Sequence, residues 1–363
     1  MPVFWIQDYA MKKSLLIAAR TCAIAVLIFG PHALLAQVGT PKYEVDRSWP
    51  KPFPDRWVVG NISGVCVDSQ DHVFLLNRQN VLEADLNAGH LAPVVIELDT
   101  DGDVVNSWSA PTSLDPLIHS CYVDNDTNIW IASTPSGMVQ KYSHDGSKLL
   151  LQIGKKGVLD SSDGTSKGRP LNSNAAQFFM PSSLYVDPQN GDVYVGDGEG
   201  VGGNRRIAVM DRSGTFLRQW QPEGMQTVHC MTVANDGLVY VCNREASRIQ
   251  VYDKLGNFKR NIETPWTPYT TPPDGKAKET GGAAVAIDLS RDSNQRFIYL
   301  VNQNNSQFEV LDRESGKILA SFGHAGRFPG EFDQAHSIAV DSKGNVYVGE
   351  GRGHRVQKFK PVN

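Results

Sequence analysis

From about residue 62 to residue 359 the chain is written in short runs of alternating apolar and polar positions, each broken by a cluster of Gly, Asp, Asn or Ser. The period is two rather than 3.6, which predicts strands and tight turns and excludes a helical solenoid. Six segments share one pattern: a small residue, an apolar pair, Asp or Asn, a turn, then a "VYV"-like run. They are "SGVCVDSQDHVFLLNR" from Ser63, "HSCYVDNDTNIWIAST" from His119, "SSLYVDPQNGDVYVGDG" from Ser182, "HCMTVANDGLVYVCNR" from His229, "AAVAIDLSRDSNQRFIYLVNQ" from Ala283 and "HSIAVDSKGNVYVGEG" from His336. Most continue into a third strand and a polar hairpin, as in "IQVYDKLGNFKRNI".

Antiparallel units of three or four strands, recurring every 47 to 63 residues, cannot bury both faces alone but can when arranged radially. The expected fold is therefore all-β, a six-bladed β-propeller. Its last repeat ends after a third strand, "RVQKFK", while "YEVDRSW" (Tyr43 to Trp49) is spare at the other end. Pairing the two would close the ring and cover an open edge.

Aligned on the residue before the turn Asp (Val67, Val123, Val186, Val233, Ile287, Val340), the repeats carry Ser63, His119, Ser182, His229, Ala283 and His336 four positions upstream. Histidine thus falls in every second blade at one level, so His119, His229 and His336 should converge on the ring axis. A single histidine at a strand start is most often just hydrogen-bonded. Three in strict alternation describe neutral imidazoles around a metal with an open fourth position, the pattern of a catalytic zinc site. The second strands end at the same rim in Arg78, Thr134, Gly198, Arg244, Gln303 and Gly351. Arg78 and Arg244 lie in opposite blades, and paired guanidinium groups beside a metal suit a small carboxylate. The residues preceding that column (Asn77, Ser133, Asp197, Asn243, Asn302, Glu350) are all polar.

Composition adds three constraints. The formal charge of −4 is spread along the chain without a basic run, which argues against a nucleic-acid partner. Residues 11 to 36, "MKKSLLIAARTCAIAVLIFGPHALLA", read as a secretory signal after an upstream extension, so residues 1–36 are expected to be removed and 37–363 to form the propeller. The h-region is short for a membrane span and no second one follows; a secreted or periplasmic monomer is expected. Cys66, Cys121, Cys230 and Cys242 remain, with no CxxC for a thiolate zinc site. In the hairpin "CMTVANDGLVYVC", pairing Val233 with Val239 sets Cys230 across from Cys242, within disulfide reach.

The repeats resemble NHL-type propeller repeats, and "SGVCVD…NR", "IHSCYVD", "DG…NRRI", "VHCMTV…NREASRIQVY" and "AHSIAVDSKGNVYVGE" resemble peptidyl-α-hydroxyglycine α-amidating lyase. The resemblance implies zinc held by His119, His229 and His336, with Arg78 and Arg244 at the active-site arginines. It implies cleavage of the N–Cα bond of a C-terminal α-hydroxyglycine, giving a peptide amide and glyoxylate. Three departures stand out. Glu199, in "DGEGVGGNRRI", occupies the place of the family's catalytic tyrosine, so either it or a nearby tyrosine takes the role, or that reaction is lost. Ser337 replaces the aspartate that binds calcium, which argues against a structural Ca2+. The blade 3 loop lacks the family's cysteine. Two other functions fit the residues: another metal-assisted reaction on a small carboxylate, and a secreted propeller that binds a peptide, glycan or cell-envelope partner without catalysis.

Overall fold

A computed structural model describes residues 39–109, 114, 117–169, 173, 175–200, 202–266 and 282–362. The expected signal segment lies outside the described residues. Six four-stranded antiparallel sheets are ordered as simple meanders, one per repeat. Their innermost strands are Ile62–Val67, Ile118–Val123, Pro181–Val186, Val228–Val233, Ala286–Leu289 and Ala335–Val340. These define blades 1 to 6 in chain order.

Each strand alternates, but the inner two or three of every blade are buried on both faces because the neighbouring blades cover them. The core is accordingly divided into layers between blades rather than gathered at one centre. One apolar cluster joins blades 4 and 5 (Tyr240, Ile249 and Val251 against Ile298, Leu300 and Leu311), and five similar clusters fill the other interfaces. The fourth strands are half-exposed and carry Leu149, Leu150, Leu217 and Phe258 to the rim.

The ring closes as the spare segment predicts. Lys42–Val45 is the outermost strand of blade 6, with Tyr43 opposite Pro361 and Val45 opposite Phe359, and the Asp46 amide donates to the Lys358 carbonyl at 2.8 Å. The pairing ends there; Trp49 leaves the sheet and packs on Tyr347 with ring centroids 4.9 Å apart. Tyr43 locks the seam, its ring edge-on to Phe308 and Phe322 and its hydroxyl donating to Gly344 O at 3.1 Å.

Cys230 and Cys242 are bonded, as their register suggested, and Cys66 is bonded to Cys121 across the inner strands of blades 1 and 2. The first is legible within one hairpin. The second needs knowledge of which strands neighbour one another around the axis.

Blade 5 corrects the alignment of the repeats. Ala286 pairs with Val301 and Leu289 with Ile298, so Leu289, not Ile287, precedes the turn. Val285 therefore holds the position assigned to Ala283. Asp288, read as the turn aspartate, lies within the strand and accepts the Val340 amide of blade 6 at 2.8 Å. Ser290 takes over at the turn, its hydroxyl accepting the Phe297 amide at 2.9 Å.

The seam makes a measurable contribution. Tyr43→Ala should lower unfolding free energy by about 2–4 kcal/mol in urea titration, in the range for truncating a partly buried aromatic. Loss of less than about 0.5 kcal/mol would mean that the first strand does not hold the ring closed.

Candidate metal centre on the propeller axis

The inner strands do not run straight to the axis. In blades 1, 2, 3 and 6 an extra residue interrupts the register with the second strand, and it is Ser63, His119, Ser182 and His336 respectively. In blade 4, His229 and Cys230 together oppose Cys242. A β-bulge turns its side chain out of the normal alternation. Here it brings three imidazoles into one cluster, with ring centroids 4.8 to 5.1 Å apart and steep interplanar angles of 66° to 74°.

The bulges also fix the tautomers. Nδ1 of His119 lies 2.7 Å from the Ser182 carbonyl, Nδ1 of His229 lies 2.6 Å from that of Val285, and Nδ1 of His336 lies 3.0 Å from that of Ser63. A carbonyl only accepts, so each Nδ1 carries the hydrogen and each Nε2 presents a lone pair to the axis. One ligand atom from each ring lies within 4.8 Å of the others. Three acceptors turned toward one point, two of them on buried rings, fit a divalent cation, and the carbonyl behind each ring is the outer support that a ligating histidine requires.

Burial disfavours the imidazolium form of all three. It holds His119 and His229 well below the usual histidine range, reinforced at His229 by Arg244. His336, the most accessible of the three, is pushed down to about 4 by burial and then by Arg78.

Above the rings, Arg78 sends Nε to the Ile118 carbonyl at 2.9 Å and makes no ion pair among the described residues. Arg244 is engaged: Nη1 lies 2.8 Å from Glu199 Oε1 and Nε lies 2.9 Å from Glu245 Oε1. Burial works against its charge, but the two carboxylates outweigh it and raise its pKa. Its stem passes over Gly282, whose φ of +111° and lack of a side chain leave the space it fills.

Glu199 is held through both its backbone and its side chain. Its amide donates to the Met180 carbonyl at 3.0 Å, and the other oxygen, Oε2, stands 3.6 Å from His229 Nε2 with no hydrogen-bond partner. Behind it, Arg206 is fully buried and ion-paired to Asp160 and Asp197, both at 3.0 Å, while Asp197 accepts the Phe179 and Met180 amides. The sequence reading missed this anchor, although "GNRRI" and the preceding Asp197 carry it. Glu199, one stand-in expected for the family tyrosine, is beside the histidines.

These burials predict a pH response. In the unfolded chain the imidazoles take up protons near pH 6.5, whereas in the folded metal-free protein His336 resists until about pH 4 and burial holds the other two well below the usual range. Between those values the unfolded state binds more protons, so stability should fall as pH drops from about 6.5 toward about 4. His336→Gln in metal-stripped protein should flatten that slope by up to about 1.4 kcal/mol per pH unit, read by urea unfolding. An unchanged slope would contradict a neutral buried His336.

Comparison with known proteins agrees with this architecture. The NHL repeat family matches residues 332–359. Peptidyl-glycine alpha-amidating monooxygenase B of Xenopus laevis is 25% identical over 348 residues, covering 88% of this chain but only 35% of that protein, so the chain spans about a third of its length. NHL repeat-containing protein 3 of Homo sapiens is 27% identical, with 96% and 93% of the two chains covered. The probable peptidyl-alpha-hydroxyglycine alpha-amidating lyase of Caenorhabditis elegans is 22% identical, with 88% and 87% covered. Among solved structures, a streptogramin B lyase superposes with a TM-score of 0.52 at 14% identity, over 89% of this chain and 98% of that one, a likeness of fold alone. The chain is a six-bladed β-propeller with an NHL repeat, similar over most of its length both to amidating enzymes and to NHL repeat-containing protein 3.

Proposed function

We propose that the protein is a metal-dependent lyase acting on a C-terminal α-hydroxyglycine or a related N-acyl hydroxyglycine. The observation that carries this is the convergence of three tautomer-fixed imidazoles beside one arginine without an ion-pair partner among the described residues and one partly buried carboxylate. Similarity to the amidating enzymes supports it. His119, His229 and His336 would hold zinc, which when bound supplies a Lewis acid that acidifies a nearby hydroxyl.

The chain's own residues divide the remaining work. Arg78, free of a carboxylate partner among the described residues, takes the substrate carboxylate. Arg244 is already committed to Glu199 and Glu245, so it orients Glu199 rather than clamping the substrate with Arg78. Glu199 Oε2 accepts the α-hydroxyl proton. The O–H electron pair becomes the carbonyl of glyoxylate, the N–Cα bond breaks, and the proton passes to the leaving nitrogen to give the amide. A structural Ca2+ is not part of this proposal. We further propose that the protein works outside the cytoplasm, supported by the apolar N-terminal segment and two cystine pairs.

Glyoxylate release from a synthetic α-hydroxyglycine peptide tests the reading. Glu199→Gln should cut turnover by about 10² or more while metal content and fold are kept. Turnover changed by less than about threefold would remove Glu199 as the base. Metal without glyoxylate release would favour another reaction on a small carboxylate. Absence of bound metal would favour the non-catalytic binding propeller, the reading to which the equal similarity to NHL repeat-containing protein 3 lends weight.

A further inference from the structure

Blades 2 and 6 share a second device, at the end of the inner strand away from the histidines. The aspartate after that strand caps its turn with Oδ1 and offers Oδ2 to the blade. In blade 2, Asp124 Oδ2 is met by Trp130 Nε1 and by Lys141 Nζ, both at 2.8 Å. In blade 6, Asp341 Oδ2 is met by Asn345 at 2.6 Å and by the Tyr347 hydroxyl at 3.0 Å, with Lys358 opposite Tyr347 in the register.

Blade 1 keeps the aspartate but differs from them at the other two positions. Asp68 Oδ1 accepts the Gln70 and His72 amides at 2.8 and 2.9 Å as usual. Phe74, which has no donor, stands where Trp130 and Tyr347 stand. Opposite Phe74 in the register, where blades 2 and 6 have Lys141 and Lys358, is Glu97. A second carboxylate has replaced the cation. Asp68 is 8% exposed and Glu97 is 2% exposed, and Asp68 Oδ2 and Glu97 Oε2 have no hydrogen-bond partner. Among the described residues no lysine or arginine pairs with either.

Two imidazoles complete the cluster. His72 Nδ1 lies 2.7 Å from Glu97 Oε1. His144, from the outer turn of blade 2, has Nδ1 3.1 Å from the Thr127 carbonyl, so Nδ1 is the donor. Its Nε2 lies 3.2 Å from both carboxylate oxygens of Glu97. Two carboxylates buried together with no lysine or arginine are costly unless an imidazolium or a metal cation balances them. One ligand atom each from Asp68, His72 and Glu97 already lies within 4.8 Å of the others.

We propose that Asp68, His72, Glu97 and His144 form a second metal site, between blades 1 and 2, for a divalent first-row transition ion. The mixed imidazole and carboxylate donors suit Zn2+ or Mn2+. About five residues of extended strand, roughly 17 Å, separate Asp68 from the axial level of Ser63, so the site is independent of the axial histidines. His72, whose side chain is a quarter exposed, gives the ion access from solvent. Its role is to staple two blades on the side of the ring where the axial cluster does not reach.

The test is Zn2+ stoichiometry of the metal-stripped full chain after equilibrium dialysis, read by elemental analysis, with Co2+ absorption as a second probe. Glu97→Gln keeps the shape of the side chain, and Glu97→Lys supplies the cation that blades 2 and 6 possess. Each should lose about one equivalent relative to wild type and lose the matching Co2+ band, while circular dichroism reports the fold. His229→Ala should lose a different equivalent, so if the axial site alone fails, Glu97→Gln still removes whatever ion wild type holds. Equal stoichiometry in wild type and both folded Glu97 variants, meaning a hydrogen-bonded histidine and carboxylate network without metal, would overturn the proposal.

Discussion

A closed circle of side-chain-to-carbonyl hydrogen bonds around the axis holds the rest together. His119 donates to Ser182, whose hydroxyl donates to Val228 at 2.6 Å; His229 donates to Val285; His336 donates to Ser63, whose hydroxyl donates to Ile118 at 2.8 Å. At the remaining step Val285 has no donor, and Gln303 reaches the Ala335 carbonyl at 2.8 Å instead. Each inner strand is thereby tied to the next where no sheet hydrogen bond can do it. Buried carbonyls need such partners, and leaving one unmet costs about 1–3 kcal/mol. The same bonds dictate which imidazole nitrogen faces inward, so the architecture and the donor set share one cause.

Charge placement above the rings follows from that geometry. Three neutral imidazoles cannot balance a carboxylate, and Arg244 meets Glu199 while Arg78 is left beside the axis with only a carbonyl. The buried Arg206 network behind the loop holds Asp197 and hence the backbone on which Glu199 sits. A glycine-rich stretch that reads as pliable is thus anchored at its start, and the glycines serve the turns at Gly200 and Gly202, with φ of 84° and 85°.

Much of this was legible in the chain because the repeat unit is also the physical unit. Period-two alternation gave the strands, the missing last strand gave the closure, and strict alternation of histidine gave the axial cluster. What escaped were features fixed by neighbours rather than by the repeat itself. Asp288 mimics a turn residue in the sequence but serves Val340 in the next blade, which shifted the fifth repeat by two positions. Cys66 and Cys121 pair across blades, and the Arg206 anchor draws Asp160 from a loop far along the chain. The pairing of Arg244 with Glu199 escaped for the same reason, since Glu199 comes from a different blade. Local pattern carries the elements and their order, and contacts between repeats decide how charges are matched.

The central claim is that the ring presents three Nε2 atoms to one metal ion on its axis. Anomalous diffraction from crystals of the zinc-loaded protein, collected on both sides of the zinc edge, tests it most directly. The account predicts a peak about 2.0–2.1 Å from Nε2 of each of His119, His229 and His336, with Nδ1 of each still on its carbonyl. Zinc-loaded crystals without a peak at that point, or with one contacting fewer than three of these histidines, would contradict it.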